Sequence, residues 1–185
     1  MNVLLYISST KSNKNDRKGF TIIELLIVLF LIVVVGGIGY LSLGKQLARE
    51  KLLSEGFALA NDFNNVKNSA MLQGIRYALK VTSSNTYEIA FYDSLGVRKV
   101  LRTSKLSNGR FGVISGISSC PDGSAADVSD GVSFPDNEIV FLPIGVPLSS
   151  GCAIITRNPY AVAVSVNPSG QIETFVYIKG SWVKK

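Results

Sequence analysis

Phe20-Thr21-Ile22-Ile23-Glu24-Leu25-Leu26-Ile27-Val28-Leu29-Phe30-Leu31-Ile32-Val33-Val34-Val35-Gly36-Gly37-Ile38-Gly39-Tyr40-Leu41-Ser42-Leu43 is an unbroken apolar run whose only charge is Glu24. As a helix it rises about 36 Å, against a hydrocarbon core of roughly 30 Å, so it is long enough to cross a bilayer. A secretory signal would have a shorter apolar stretch, a small-residue cleavage site and a polar start behind it. Here the run passes into Gly44-Lys45-Gln46 without such a site. The reading is a transmembrane helix over 20–43. Before it, residues 1–19 hold Lys11, Lys14, Arg17 and Lys18 against Asp16 alone. The positive-inside bias therefore leaves 1–19 in the cytoplasm and sends the rest across.

Glu24 is the residue that asks for a reason. A carboxylate inside an apolar helix costs about 2.5–3.5 kcal/mol on insertion scales, so it calls for a partner. One reading places it near the helix start, where the macrodipole favours an anion. That explains its tolerance but not its presence, and an acid in a membrane helix is read first as functional.

Downstream, Leu52, Leu59 and Val66 recur at seven-residue spacing, as do Gly56, Phe63 and Ala70. Together they make one apolar stripe that predicts a helical continuation over 44–74, packed on the domain's own sheet. Gly36, Gly37, Gly39 and Gly44 weaken the helix between its halves, each by ~1 kcal/mol relative to alanine. They serve either close helix packing in the membrane or local melting when subunits assemble.

After Gly74 the pattern alternates. Strands are predicted at 77–81, 87–91, 97–101, 138–142, 152–156, 160–166 and 171–178, with a Gly-, Ser- and Asp-rich loop from 115 to 133. Asn167-Pro168-Ser169-Gly170 reads as a turn. A long helix followed by many short strands predicts an α+β fold, the helix packed on antiparallel sheet, with residues 75–185 forming the β-rich domain.

The inventory excludes several chemistries. The 185 residues carry a net charge of +6 but no histidine, and the only cysteines are Cys120 and Cys152. A His-based triad, a His metal site and a four-cysteine zinc site are thereby ruled out. No paired acid–base constellation and no glycine-rich phosphate cradle stands out, so neither enzyme activity nor a cofactor is expected. About half of the positive excess lies in residues 1–19, which weakens any general argument for nucleic acid.

Arg17-Lys18-Gly19-Phe20-Thr21-Ile22-Ile23-Glu24-Leu25 resembles the processing site of type IV pilins and type II secretion pseudopilins: a basic leader ending in glycine, then phenylalanine, with glutamate at the fifth mature position. The resemblance implies that a membrane aspartyl prepilin peptidase cuts Gly19–Phe20, removing 1–19 as a leader, and that Phe20 is N-methylated. It also implies that Glu24 serves subunit assembly. Cleavage creates an ammonium at Phe20, and Glu24 of an incoming subunit can pair with its neighbour's amine. In a low-dielectric bundle that pair attracts strongly and an unpaired partner is penalised, which sets axial register. Many major pilins carry a proline in the early helix; this chain has none there.

A second resemblance covers the C-terminal half. Ile139-Val140-Phe141-Leu142-Pro143-Ile144-Gly145, then Gly151, Ala161–Val166 and Gly170-Gln171-Ile172, is similar to the domain of GspH/FimT-type minor pseudopilins. FimT-like proteins that bind DNA carry Gly-Arg-x-Arg at the last turn, where guanidinium groups grip phosphates. Here those positions are Gly170, Gln171, Ile172 and Glu173, so both arginines are missing. The remaining DNA-binding candidates are Lys179, Trp182, Lys184 and Lys185, a basic end with one aromatic, more often a solvated tail. DNA is not the expected partner.

In the oxidising periplasm that this reading implies, Cys120 and Cys152 either pair, adding ~3 kcal/mol, or remain one exposed and one buried thiol. Pairing is the favoured alternative. The expected protein is a minor pilin or pseudopilin subunit of a type II secretion pseudopilus or a type IV pilus. It would be a single-pass bacterial inner-membrane protein with its C-terminal domain in the periplasm. Its expected partners are other pilin subunits and the prepilin peptidase. The rivals are a DNA-binding minor pilin for transformation and an anchored β domain that never enters a filament.

Overall fold

The computed structural model describes residues 20–117, 119–123 and 130–185, and only the backbone along 35–43 and at 45. The leader, with Gly19, lies outside them, as does part of the 115–133 loop. The chain divides into two compact units, one ending at Ser42 and one from Leu43 to Lys185.

The first unit is the N-terminal part of α1 (Ile22–Gln73). Its described side chains are exposed all round, from Phe20 at 86% to Val34 at 42%. Among the described residues no helix is long and apolar enough to cross a membrane. Residues 35–43, which complete the 20–43 run in the sequence, lie outside the described side chains.

The second unit is built on the predicted stripe. Leu52, Leu59, Phe63, Val66 and Ala70 are all buried. Gly56 belongs to the same face for a steric reason: a Cβ there would lie 2.3 Å from Cγ1 of Val162. Only a residue without a side chain lets α1 come that close to the sheet.

Two antiparallel sheets complete the unit. The first orders β3 (Arg98–Lys105), β2 (Thr86–Tyr92), β1 (Tyr77–Ser83) and β5 (Glu138–Phe141). The second orders β4 (Arg110–Phe111), β6 (Gly151–Arg157), β7 (Tyr160–Val166), β8 (Ile172–Ile178) and β9 (Ser181–Lys184). Leu79, Val81, Tyr87, Ile89, Ile139 and Phe141 join the helical stripe in one core with Ala153, Ile155, Val162, Val164 and Val176. The α+β architecture is the expected one.

Three elements differ from the sequence expectation. β3 runs on to Lys105, past a bulge that leaves Leu101 without a partner between Val100 and Arg102. β4 is only two residues long, too short to leave a periodic signal. The C-terminal residues form β9 rather than a tail, pairing Val183 with Val176 and Trp182 with Tyr177.

β6 and β7 also break the rule of alternation, for they are apolar on both faces. The odd–even pattern sends Ala153, Ile155, Val162 and Val164 to the main core. Their neighbours Cys152, Ile154, Ala161 and Ala163 enter a second cluster with Ile117 and Cys120. The loop after β4 thus covers a sheet face that would otherwise meet water. An antiparallel sheet covered on one side would carry polar residues there.

Candidate assembly site and the C-terminal face

At the N terminus, Thr21 precedes the first helical residue and caps α1. Its hydroxyl accepts from the Glu24 backbone N–H at 3.3 Å, and the Glu24 carboxylate accepts from the Thr21 backbone N–H and hydroxyl at 3.4 and 3.3 Å. This reciprocal pair is a capping box, which satisfies two of the donors that a helix start leaves open. Threonine three residues ahead of a glutamate, just before an apolar run, is its sequence signature. The expectation for Glu24 considered the dipole and a second subunit, and overlooked this local partner. The acid is held in position by its own chain, yet it stays exposed and available. Phe20 beside it is uncovered.

Cys120 and Cys152 are joined, Sγ to Sγ at 1.97 Å. The bond is one of three pins that hold the loop after β4 on the outer face of the second sheet. The Tyr177 hydroxyl donates to the carbonyl of Gly116 at 2.9 Å, and the Trp182 indole N–H donates to that of Ser119 at 3.0 Å. Trp182 also meets Tyr177 edge-on, ring centroids 5.1 Å apart. Trp182 therefore belongs with the disulfide.

The remaining candidates for nucleic acid are dispersed. Lys184 pairs with Glu173 across the β8–β9 hairpin, and Gln171 donates to the same carboxylate at 2.7 Å. The Lys185 backbone N–H donates to the carbonyl of Thr174 at 2.9 Å. Lys179 lies in the turn of that hairpin, at the opposite end of the strands from Lys184 and Lys185. The Gly170 turn is itself filled: a Cβ on Gly170 would lie 2.4 Å from the carbonyl oxygen of Gly145, and Lys67 donates to the Gly170 carbonyl at 3.0 Å.

Three polar clusters escaped the sequence reading because their members are far apart along the chain. Glu55 on α1 accepts from the backbone N–H groups of Ser107, Asn108 and Gly109 at 2.6–2.8 Å, clamping the β3–β4 loop to the helix. Asp62 accepts from Tyr87 and Arg102, each at 2.6 Å. Burial first, and then the hydrogen bond to Asp62, push the Tyr87 hydroxyl well above its ordinary value of 10.0. Arg98 on edge strand β3 reaches Glu88 on β2 and Glu138 on the opposite edge strand β5, both at 2.9 Å. Burial pulls the Arg98 guanidinium down, but the two carboxylates outweigh it and hold it above the ordinary arginine value.

Known proteins add one local match and two distant ones. Residues 14–40 match the prokaryotic N-terminal methylation motif. No curated protein matches the chain. Two solved structures of the minor pseudopilin EpsH, from the type 2 secretion system of Vibrio cholerae, are similar to it at 9% identity. Their TM-scores are 0.48 and 0.46, over 67% and 68% of this chain and 95% and 94% of theirs. At that identity, and below a TM-score of 0.5, neither adds to what residues 14–40 establish.

Proposed function

We infer that this pilin-like chain, with a prepilin-type motif at 14–40 and a long helix that serves a β-rich domain, is a minor pilin or pseudopilin subunit. It works by assembling through its N-terminal helix into a type II secretion pseudopilus or a type IV pilus. One observation carries the reading. From Ile22 to Val34 the helix is apolar on every face apart from Glu24, and all of those side chains are exposed. A helix hydrophobic all round is stable only when buried, first in lipid and then among other helices.

The prepilin peptidase cuts between Gly19 and Phe20 on this reading, and Phe20 then carries a methylated ammonium. Glu24 leaves its local cap with Thr21 to accept the ammonium of a neighbouring subunit. The exchange replaces long contacts to neutral donors, at 3.3–3.4 Å, by a pair with a cation, whose Coulomb attraction is strong in a low-dielectric bundle. The subunit waits in the inner membrane with residues 43–185 in the periplasm, an oxidising compartment that suits the Cys120–Cys152 bond.

Mass spectrometry of the protein purified from its native membrane tests the processing step. The expected N-terminal peptide begins at Phe20 and is heavier by one methyl group. Gly19→Glu should leave only uncut precursor. A native protein that begins at Met1 would sink the reading and favour a simple membrane-anchored domain.

A further inference from the structure

The first sheet ends differently at its two edges. At β5 the chain returns over its own strand: the Leu142 backbone N–H donates to the Val146 carbonyl, that of Leu148 donates to Val140, and Phe141 bridges Pro147. At β3 the only strand partner among the described residues is β2. The outward N–H and C=O groups of such an edge are a template for one more strand. Natural edges are guarded by charge, by bulges or by being short. β3 has two of these guards, the bulge at Leu101 and the cations Arg98, Lys99, Arg102 and Lys105. Yet it is eight residues long and exposes Val100 and Leu101, at 50% and 54%. Guarding accounts for the charges and leaves the apolar pair unexplained.

Leu101 is one wall of a groove of about 350 Å³ between β3 and α1, floored by Val66, Tyr77 and Ile89. Across it stand Asn65, Ser69 and Gln73, stacked on one side of α1 at four-residue spacing. That size is at the lower end for a ligand site, enough for a side chain or two and too small for a helix. A strand added to β3 would set one inward side chain beside Leu101 and over this floor, because opposed residues of neighbouring strands share a face.

The charges on β3 select which strand that is. Arg98 is bonded to Glu88 and Glu138, and Arg102 to Asp62. The other acids beside the strand are taken by backbone N–H groups, Asp93 by Leu95 and Val97 and Glu55 by the β3–β4 loop. Lys99 and Lys105, toward the two ends, are exposed and stand outside these pairs. The strand itself holds four cations and no acid, so a second copy of β3 would bring like charges together. An apolar residue flanked by acids matches the order Lys99, Leu101, Lys105.

We propose that β3 accepts an extended, acidic segment of a different subunit of the same filament, added as one more strand of the first sheet with an apolar side chain in the groove beside Leu101. The proposal rests on the filament reading above, which is what puts other subunits next to this one. Main-chain hydrogen bonds give such strand addition its affinity, and the groove and the cations give it its choice of partner.

The test has two arms. In the first, the full chain in detergent micelles is mixed with a short synthetic peptide that alternates valine with aspartate, and backbone hydrogen exchange is followed by mass spectrometry. Exchange over β3 should slow several-fold, with β8 and β9 unchanged, and either L101D or K99E/K105E should cancel the slowing. No slowing, or equal slowing by a peptide that alternates valine with lysine, overturns the proposal. Slowing without peptide as the protein is concentrated overturns it in favour of a second copy. In the second arm a photo-crosslinking residue replaces Leu101 in the native cells. The expected adduct joins it to an acidic strand of another protein that carries the same N-terminal methylation motif. An adduct with this chain itself, an adduct with an exported protein, or no adduct overturns the proposal. Neither arm reads cleavage after Gly19. Loss of β3 binding with Phe20 correctly processed therefore sinks this proposal alone, and a native protein that begins at Met1 sinks the filament reading.

Discussion

The two units handle their polar groups and apolar surface in opposite ways. In the second, each apolar face of β6 and β7 meets another part of the chain, and Glu55, Asp62, Glu88 and Glu138 all find donors within the fold. In the first, a helix of leucine, isoleucine, valine and phenylalanine is exposed, and among the described residues its one acid is capped only by Thr21, three positions away, at 3.3–3.4 Å. The second unit packs its core against itself. The first is an exposed apolar surface, and on the proposed reading that difference separates the part that folds from the part that assembles.

Breaking the first unit should have the larger consequences. Glu24→Ala removes one partner of a pair that would be desolvated in the filament, a loss of about 3–5 kcal/mol for buried pairs. Co-purification with the other filament subunits should fall at least about tenfold. The melting temperature of the 43–185 unit should stay unchanged, since the described partner of the Glu24 carboxylate is Thr21, in the other unit. Normal incorporation would remove the pairing role and leave Glu24 as a cap alone.

Changes in the second unit should act on stability and spare processing at Phe20. Cys120→Ala, with Cys152→Ala to avoid a free thiol, should cost about 3 kcal/mol in a denaturant titration. It should also raise the exposure of Trp182, whose indole bond to Ser119 relies on the same loop, so tryptophan fluorescence should shift to the red. An unshifted spectrum would mean that Tyr177 and Trp182 hold the loop without the disulfide.

Gly56→Ala sharpens the contrast further, because alanine helps an exposed helix by ~1 kcal/mol. Here its Cβ must push Val162 away from α1, and overpacking of a tight core costs about 1–3 kcal/mol. The net effect should be a modest loss of stability, measured by thermal unfolding, where the same change at Gly44 should cause none. A Cβ at Gly44 meets nothing within 4 Å.

The smallest effect expected is at alkaline pH. Tyr87 has a raised folded value, so the folded state keeps its proton where the unfolded chain has begun to lose it. The resulting stabilisation is fully present below pH 10.0 and is lost as the pH rises beyond it. Tyr87→Phe should flatten that decline, seen as a smaller loss of urea midpoint above pH 10.0 than in the parent protein.

Much of this was legible in the residues. The stripe from Leu52 to Ala70 is a helical period, and the alternation in Tyr77–Val81 and Tyr87–Phe91 is that of half-buried strands; both are local patterns that survive into the fold. β9 was not legible, because Ser181-Trp182-Val183-Lys184 is too short to show a period and a basic end reads as a tail. Its tryptophan looked like a stacking platform until the fold turned it onto the Cys120 loop. The cap formed by Thr21 could have been read, since its signature lies within four residues.

Sequence alone determined the apolar N-terminal run, its single acid, the prepilin-type motif and the α+β order of elements, because each depends on residues close together in the chain. Tertiary structure alone decided that Glu55 clamps the β3–β4 loop, that Arg98 ties one sheet edge to the other, and that Lys179 parts company with Lys184. The contacts among these join residues 10 to 54 positions apart. No local period encodes them, since they follow from strand register and from how closely α1 can approach the sheet.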